Sequence, residues 1–164
     1  QNRPMSISDA YRQLVLEHNR APRRRGRLSA PTHAAHGVNA LCGDELLLEL
    51  VVAGDEVRDL GYEAEVSALT LATLSIMGDL VVGQSVDSAR ALAEAALDLL
   101  TRNPERQSDP RLGDFNIFLP VQGYPNRIKT VTLPWATLLG ALDGSSRIST
   151  DLDVRGAAAP SRSA

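Results

Sequence analysis

The sequence predicts an α+β domain: a small three-stranded antiparallel sheet packed by helices on one face and at its ends. Three observations carry that reading. Leu46-Leu47-Leu48-Glu49-Leu50-Val51-Val52 is an apolar run of strand length, followed by the turn Ala53-Gly54-Asp55-Glu56 and a returning stretch from Val57 to Ala64. Two later segments carry apolar residues suited to helices, each behind a serine placed to cap it. The 164 residues, 43% of them hydrophobic, suit one domain with one core.

In chain order, Ser6 or Ser8 can cap a first helix whose Tyr11, Leu14, Val15 and His18 recur at helical spacing. It must end before Pro22, because the residue preceding a proline avoids helical backbone angles. Arg20, Arg23, Arg24, Arg25 and Arg27 then form a basic connector. His33 to Leu41 supplies the third antiparallel strand and brings Cys42 to the end of the sheet. From Ser67 to Leu80, apolar residues at 68, 69, 71, 72, 76 and 80 predict a largely buried helix, broken by Gly83. Ser85 caps an amphipathic helix with Val86, Ala89, Ala93, Leu97 and Leu100 on one face and Asp87 in its first turn. Asn103-Pro104 stops it. Residues 104 to 126 hold four prolines and read as an irregular insert. Pro134 is best tolerated near a helix start, so the last helix is expected to run from about Thr132 to Leu142. Trp135, Phe115 and Phe118 are expected to pack, anchoring the insert and that helix. The division that follows is an N-terminal extension over 1–7, a folded domain over 8–143 and a disordered tail over 144–164.

Composition removes several classes of function. Seventeen basic against twenty acidic side chains give −3, so no global charge draws the chain to nucleic acid or membrane. The connector arginines lack interleaved aromatics, and a solvated or partner-facing loop accounts for them. No apolar run approaches bilayer length. A single cysteine excludes an internal disulfide and suits a reducing compartment, so a cytoplasmic location is expected.

That cysteine is the most informative residue. Cys42 lies in Asn39-Ala40-Leu41-Cys42-Gly43-Asp44, where Gly43 lets the backbone turn so that thiol and carboxylate can point the same way. Together they are half of a metal site. A closed zinc site needs four donors, and this chain offers no second thiolate. Asp44 opposes negative charge on the sulfur, whereas a metal, or Arg127 and Lys129, favours it. Ser67 stands where a helix cap belongs, and Thr130 reads as lying at the start of the last helix. His33 and His36 are spaced as strand neighbours and are given no metal role.

Three segments fall in an order that resembles the SufU/IscU/NifU family of iron–sulfur cluster assembly scaffolds. They are the Cys42 motif, Tyr62-Glu63-Ala64-Glu65-Val66-Ser67-Ala68-Leu69, and Arg127-Ile128-Lys129-Thr130-Val131-Thr132-Leu133-Pro134-Trp135. The segments around Tyr11 to Asn19 and Thr32 to Gly37 resemble the family's start, and Leu112 to Pro125 resembles the insert of its SufU branch. The resemblance spans about Ser8 to Leu142. It implies the family's α+β scaffold fold, a site for zinc or an iron–sulfur cluster, a cysteine desulfurase as partner, and a non-enzymatic role. In the family, three cysteines and the aspartate hold the metal. Here Cys42 and Asp44 match, while Ser67 and Thr130 occupy the other two cysteine positions, so the implied metal site is degenerate.

Two functions follow as expectations. One is a SufU-like sulfur acceptor or scaffold, with Cys42 as acceptor and Arg127 and Lys129 facing the partner or a bound persulfide. A variant has a homodimer in which two copies of Cys42 and Asp44 share one metal. The alternative is a metal-free pseudo-scaffold that binds or regulates a cysteine desulfurase or another assembly component. Hydrolysis by Ser67 or Thr130 with Asp44 lacks a histidine base placed by any motif.

Overall fold

The computed structural model describes residues 7–150. The first helix, α1, spans Ile7–Arg20 and ends ahead of Pro22 as expected. The first strand, β1, spans His33–Asn39 and gives way to a 3-10 turn over Ala40–Cys42, so this strand stops two residues short of Leu41. Strand β2 (Asp44–Ala53) and strand β3 (Glu56–Glu65) form the predicted hairpin around Gly54, whose φ of 60° suits a two-residue loop. Helix α2 spans Ala68–Val81 and helix α3 spans Val86–Thr101. Ser67 and Ser85 cap them, each hydroxyl accepting from the backbone N–H three residues on.

The insert is a 3-10 segment over Pro110–Val121, kinked at Gly113. It is tied down by aromatics. Phe115 and Phe118 are fully buried and lie 5.3 Å apart, and Phe115 meets Trp135 edge-on at 5.5 Å.

Two expectations are corrected. Helix α4 spans Pro125–Leu142, so it starts at Pro125 rather than near Thr132, and Pro134 lies in its interior. An interior proline leaves the carbonyl four residues back without its helical donor. Here that carbonyl belongs to Thr130, and the Thr70 hydroxyl of α2 lies 3.3 Å from it, its one proton divided between this carbonyl and Asp44 Oδ2 at 2.8 Å. The sheet also has four strands, in the order β3-β2-β1-β4. Strand β4 (Arg147–Ser149) pairs parallel to β1 and falls inside the stretch expected to be a disordered tail. It is admitted because Gly140 of α4 leaves room for Ile148, which a Cβ at 140 would meet at 2.4 to 2.6 Å. The remainder of that stretch, 151–164, and the extension up to residue 6 lie outside the described residues.

Sheet register decides what faces the helices. Leu46, Leu48 and Leu50 are buried on one face of β2, opposite Ala64, Tyr62 and Leu60 of β3. On the other side Gly37 and Ala35 of β1 oppose Leu46 and Leu48. Side chains alternate along a strand, so the same parity carries Asn39 and Asp44, a directly opposed pair, onto that inner face. The connector after α1 crosses the outer face. Gly26 donates its N–H to Tyr62 O at 2.8 Å, and Arg27 pairs with buried Glu49 at 2.9 Å. The Arg27 hydrogen bond holds the Glu49 carboxyl below its usual range. Among the described residues no helix is long and apolar enough to cross a membrane.

Two outcomes test this packing. A Cβ on Gly61 would stand 2.5 Å from the Gly26 carbonyl oxygen. Gly61→Ala should therefore destabilise the fold by about 1–3 kcal/mol, read as a lower urea midpoint at unchanged slope. His18 is buried between α1 and α2 with Nδ1 2.6 Å from Ser75 Oγ. Burial first, then nearby Arg23, holds its pKa below 6.5, against the opposing pull of Asp114, Asp79 and Glu17. The folded form thus resists a proton that the unfolded chain accepts. Stability fully present above pH 6.5 should decline as pH falls below it toward the folded value. Urea midpoints across that range should show the decline in the natural chain and a flatter one in His18→Gln.

Candidate functional site

The residues of the three sequence motifs meet at one end of the sheet. Cys42 closes the 3-10 turn and is exposed. Gly43 follows at φ 71°, in the left-handed region, and its N–H bonds back to Ala40 O at 3.1 Å. That reversal starts β2 with Asp44 pointing inward while Cys42 stays at the surface. Thiol and carboxylate therefore separate, contrary to the expectation that the glycine lets them point together.

Asp44 is fully buried, and both its oxygens are engaged within the fold. Oδ1 accepts from the Ser67 backbone N–H at 2.7 Å, and Oδ2 accepts from the Thr70 hydroxyl at 2.8 Å. These donors lie at the N-terminus of α2, where the helix dipole favours negative charge. Ser67 Oγ caps α2, accepting from the Thr70 N–H at 3.4 Å, and stands 3.1 Å from Thr70 Oγ1. Thr70 is the hub that the sequence reading missed. Its place three residues after Ser67 marks it as the cap's partner, but nothing local shows that it also reaches Asp44 and the Thr130 carbonyl.

Thr130 lies in the second turn of α4, not at its start. Its Oγ1 is 3.3 Å from Cys42 Sγ and 3.0 Å from the Asn126 carbonyl. One hydroxyl has one proton, so it can donate to only one of them at a time. Arg127, three residues before Thr130 and so one turn away on the same side, is exposed, with its guanidinium carbon 5.3 Å from the centre of the Tyr124 ring. Lys129 is half-buried, and its carbonyl accepts from Thr150 Oγ1 at 3.3 Å. Exposed Leu41 and Tyr124 are apolar surface beside Cys42 and Arg127 in sequence.

This donor set does not fit zinc or an iron–sulfur cluster. It offers one thiol, one carboxylate already bonded through both oxygens, and two neutral hydroxyls committed to the backbone. Among the described residues, no group of three or more His, Cys, Asp or Glu side chains could hold a metal ion. The same burial keeps Asp44 from reaching a metal shared with a second copy.

Comparison with known proteins agrees with this fold. The model of the NifU-like N-terminal domain matches residues 10–131. The chain is 29% identical over 133 residues to the zinc-dependent sulfurtransferase SufU of Bacillus subtilis (strain 168), covering 81% of this chain and 89% of that protein. It is 30% identical over 137 residues to the iron–sulfur cluster assembly scaffold protein IscU of Thermotoga maritima, covering 84% and 95%. The crystal structure of the N-terminal part of a nitrogen-fixing NifU-like protein from Brucella abortus superimposes with a TM-score of 0.75 at 26% identity, covering 85% of this chain and 96% of that one.

Removing the Asp44 carboxylate should act on folding. Asp44→Ala leaves the Ser67 N–H without its acceptor and the Thr70 hydroxyl with only the longer contact to Thr130 O. A loss of about 1–3 kcal/mol is expected, read by urea denaturation and insensitive to added zinc.

Proposed function

Because the chain belongs to the NifU-like N-terminal domain family, we infer that it serves iron–sulfur cluster assembly as a metal-free sulfur acceptor with Cys42 as its one working thiol. The observation that carries this reading is the division of the site. Cys42 is exposed beside a hydroxyl, while Asp44, the other matching ligand position, is turned inward as a structural group. Relatives named as a sulfurtransferase and as a cluster assembly scaffold support sulfur as the cargo.

The donor on this reading is the persulfide of a cysteine desulfurase. The Cys42 thiolate attacks the outer sulfur of the donor's R–S–SH. A new S–S bond forms at Cys42, the old one breaks, and R–S⁻ leaves. The sulfur atom moves without net oxidation. The chain is then the recipient of the transfer rather than its catalyst, and no step needs a metal. Arg127, exposed on the first turn of α4, adds positive charge near the incoming anionic sulfur. Leu41 and Tyr124 supply apolar contact for the docking partner.

Incubation of the full chain with a cysteine desulfurase and L-cysteine, followed by intact mass and elemental analysis, tests this. One added sulfur atom on the natural chain, none on Cys42→Ala, and no stoichiometric zinc are expected. Zinc at one per chain would overturn the metal-free reading. Desulfurase binding that survives Cys42→Ala, with no sulfur gained by the natural chain, would leave docking alone as the function.

A further inference from the structure

Strand β4 is aimed at the end of the molecule that carries the thiol. It runs parallel to β1 in the register His36↔Arg147, Gly37↔Ile148 and Val38↔Ser149, so both strands head for the turn that ends at Cys42. Two contacts fix where it arrives. The Thr150 N–H donates to Val38 O at 3.1 Å, and Thr150 Oγ1 donates to Lys129 O at 3.3 Å. Lys129 precedes Thr130, whose hydroxyl lies 3.3 Å from Cys42 Sγ. The described chain therefore ends beside the candidate site, and residues 151–164 follow from there.

The sequence past that point keeps the alternation of β4. A strand turns successive side chains to opposite faces. Ile148 lies against α4, where a Cβ on Gly140 would meet it at 2.4 Å, and Thr150 bonds to the same helix. Leu152 and Val154 continue that row, while Ser149, Asp151 and Asp153 continue the other. One apolar row and one polar row are the signature of a half-buried strand.

The surface ahead of Thr150 is apolar. Leu41, in the turn just past β1, is 66% exposed, and Tyr124, at the start of α4, is 56% exposed. Among the described residues only Leu16 joins them as an exposed large hydrophobic side chain. Helix α4 runs back along β1, with Thr137 over Gly37 and Thr130 beside Cys42, so its first turn lies beyond the end of the sheet. Tyr124 is about 7.5 Å from Lys129 along the helix. Leu152 and Val154 are about 7 and 13 Å from Thr150 along an extended chain, which brings Tyr124 within their reach.

We propose that residues 151–154 form a strap across the Cys42 face, with Leu152 and Val154 resting on Leu41 and Tyr124. This builds on the sulfur-acceptor reading above and adds its regulation. Leu41 and Tyr124 are the apolar contacts which that reading offers to the docking desulfurase, so strap and partner compete for one surface. A short tether holds the strap at an effective concentration in the millimolar range. Cys42 is thereby shielded until a partner displaces the strap.

Alkylation of the full chain by biotin-maleimide, timed by intact mass, tests the strap, because Cys42 is the sole thiol. Leu152→Ser combined with Val154→Ser should raise the rate about five-fold or more, as partial burial of two aliphatic side chains implies. Asp151→Ser combined with Asp153→Ser changes the solvent row of the same segment and should leave the rate unaltered. Equal rates in the natural chain and the Leu152/Val154 variant would overturn the strap, as would equal acceleration by the two variants. Neither outcome touches the acceptor reading, since no sulfur is transferred. With a cysteine desulfurase and L-cysteine, the Leu152/Val154 variant should gain sulfur faster than the natural chain. Equal or slower gain would overturn the competition. No sulfur on either protein would overturn the acceptor reading and, with it, the regulatory role, while the alkylation rates still report the strap.

Discussion

A carboxylate sealed from water must be given partners inside the protein, and Asp44 is where this fold meets that demand. Its two oxygens take the Ser67 N–H and the Thr70 hydroxyl, which fixes the first residue of β2 against the first turn of α2. Thr70 then passes the constraint on. Its hydroxyl also reaches Thr130 O, the carbonyl that Pro134 leaves without a helical donor. One charged group thereby joins a strand and two helices whose sequence positions are far apart. Cys42 is placed by the consequence. It sits on the turn immediately before the anchored residue and opposite the helix that the same node holds.

The price of that arrangement is coordination chemistry. A carboxylate that ties the fold together in this way is withdrawn from the surface on which a metal would be shared. Ser67 has likewise been absorbed as the cap of α2, and Thr130 bonds to its own helix at Asn126. Each is a role a hydroxyl fills well, as one group that both donates and accepts, whereas a thiol does so weakly. Hydroxyls at positions 67 and 130 thus serve the internal hydrogen bonding of the fold. What stays outside is a single thiol with a donor beside it.

The sheet was legible because its signals are local. Leu46, Leu48 and Leu50 share one face of a strand, a short turn follows, and Ser67 and Ser85 stand where caps belong. The start of α4 was not legible, because Pro134 alone says either that a helix begins nearby or that something repairs its interior. A donor within reach is the Thr70 hydroxyl, sixty residues earlier in the chain and shared with Asp44, and only the tertiary structure brings it there. Strand β4 escaped notice for a similar reason. Three residues carry too little pattern, and their pairing depends on space left by Gly140 and on the His36 N–H bond to Ser146 O at 2.9 Å. The candidate site residues were identified through the family's motifs, and the structure brings those positions together at one end of the sheet. Those motifs gave no warning that Asp44 would turn inward.

The approach of Thr130 to Cys42 is itself set at a distance, by a glycine. A Cβ on Gly37 would collide with the Thr137 hydroxyl, so α4 lies directly on the backbone of β1 at that point. Thr137 and Thr130 are seven residues apart, two turns along one face of the helix, a separation of about 10 Å. From Gly37 to Asn39 the strand advances about 7 Å in the direction of the turn. The Gly37 contact holds helix and strand together at one end of that span, and the Thr130 contact with Cys42 closes the other. Thr130 is consequently delivered to the turn that Asn39 opens and Cys42 closes. The sulfur's surroundings thus follow from a packing contact two turns away, which is why a hydroxyl can stand at hydrogen-bonding distance from the thiol with no ligand bond holding the two together.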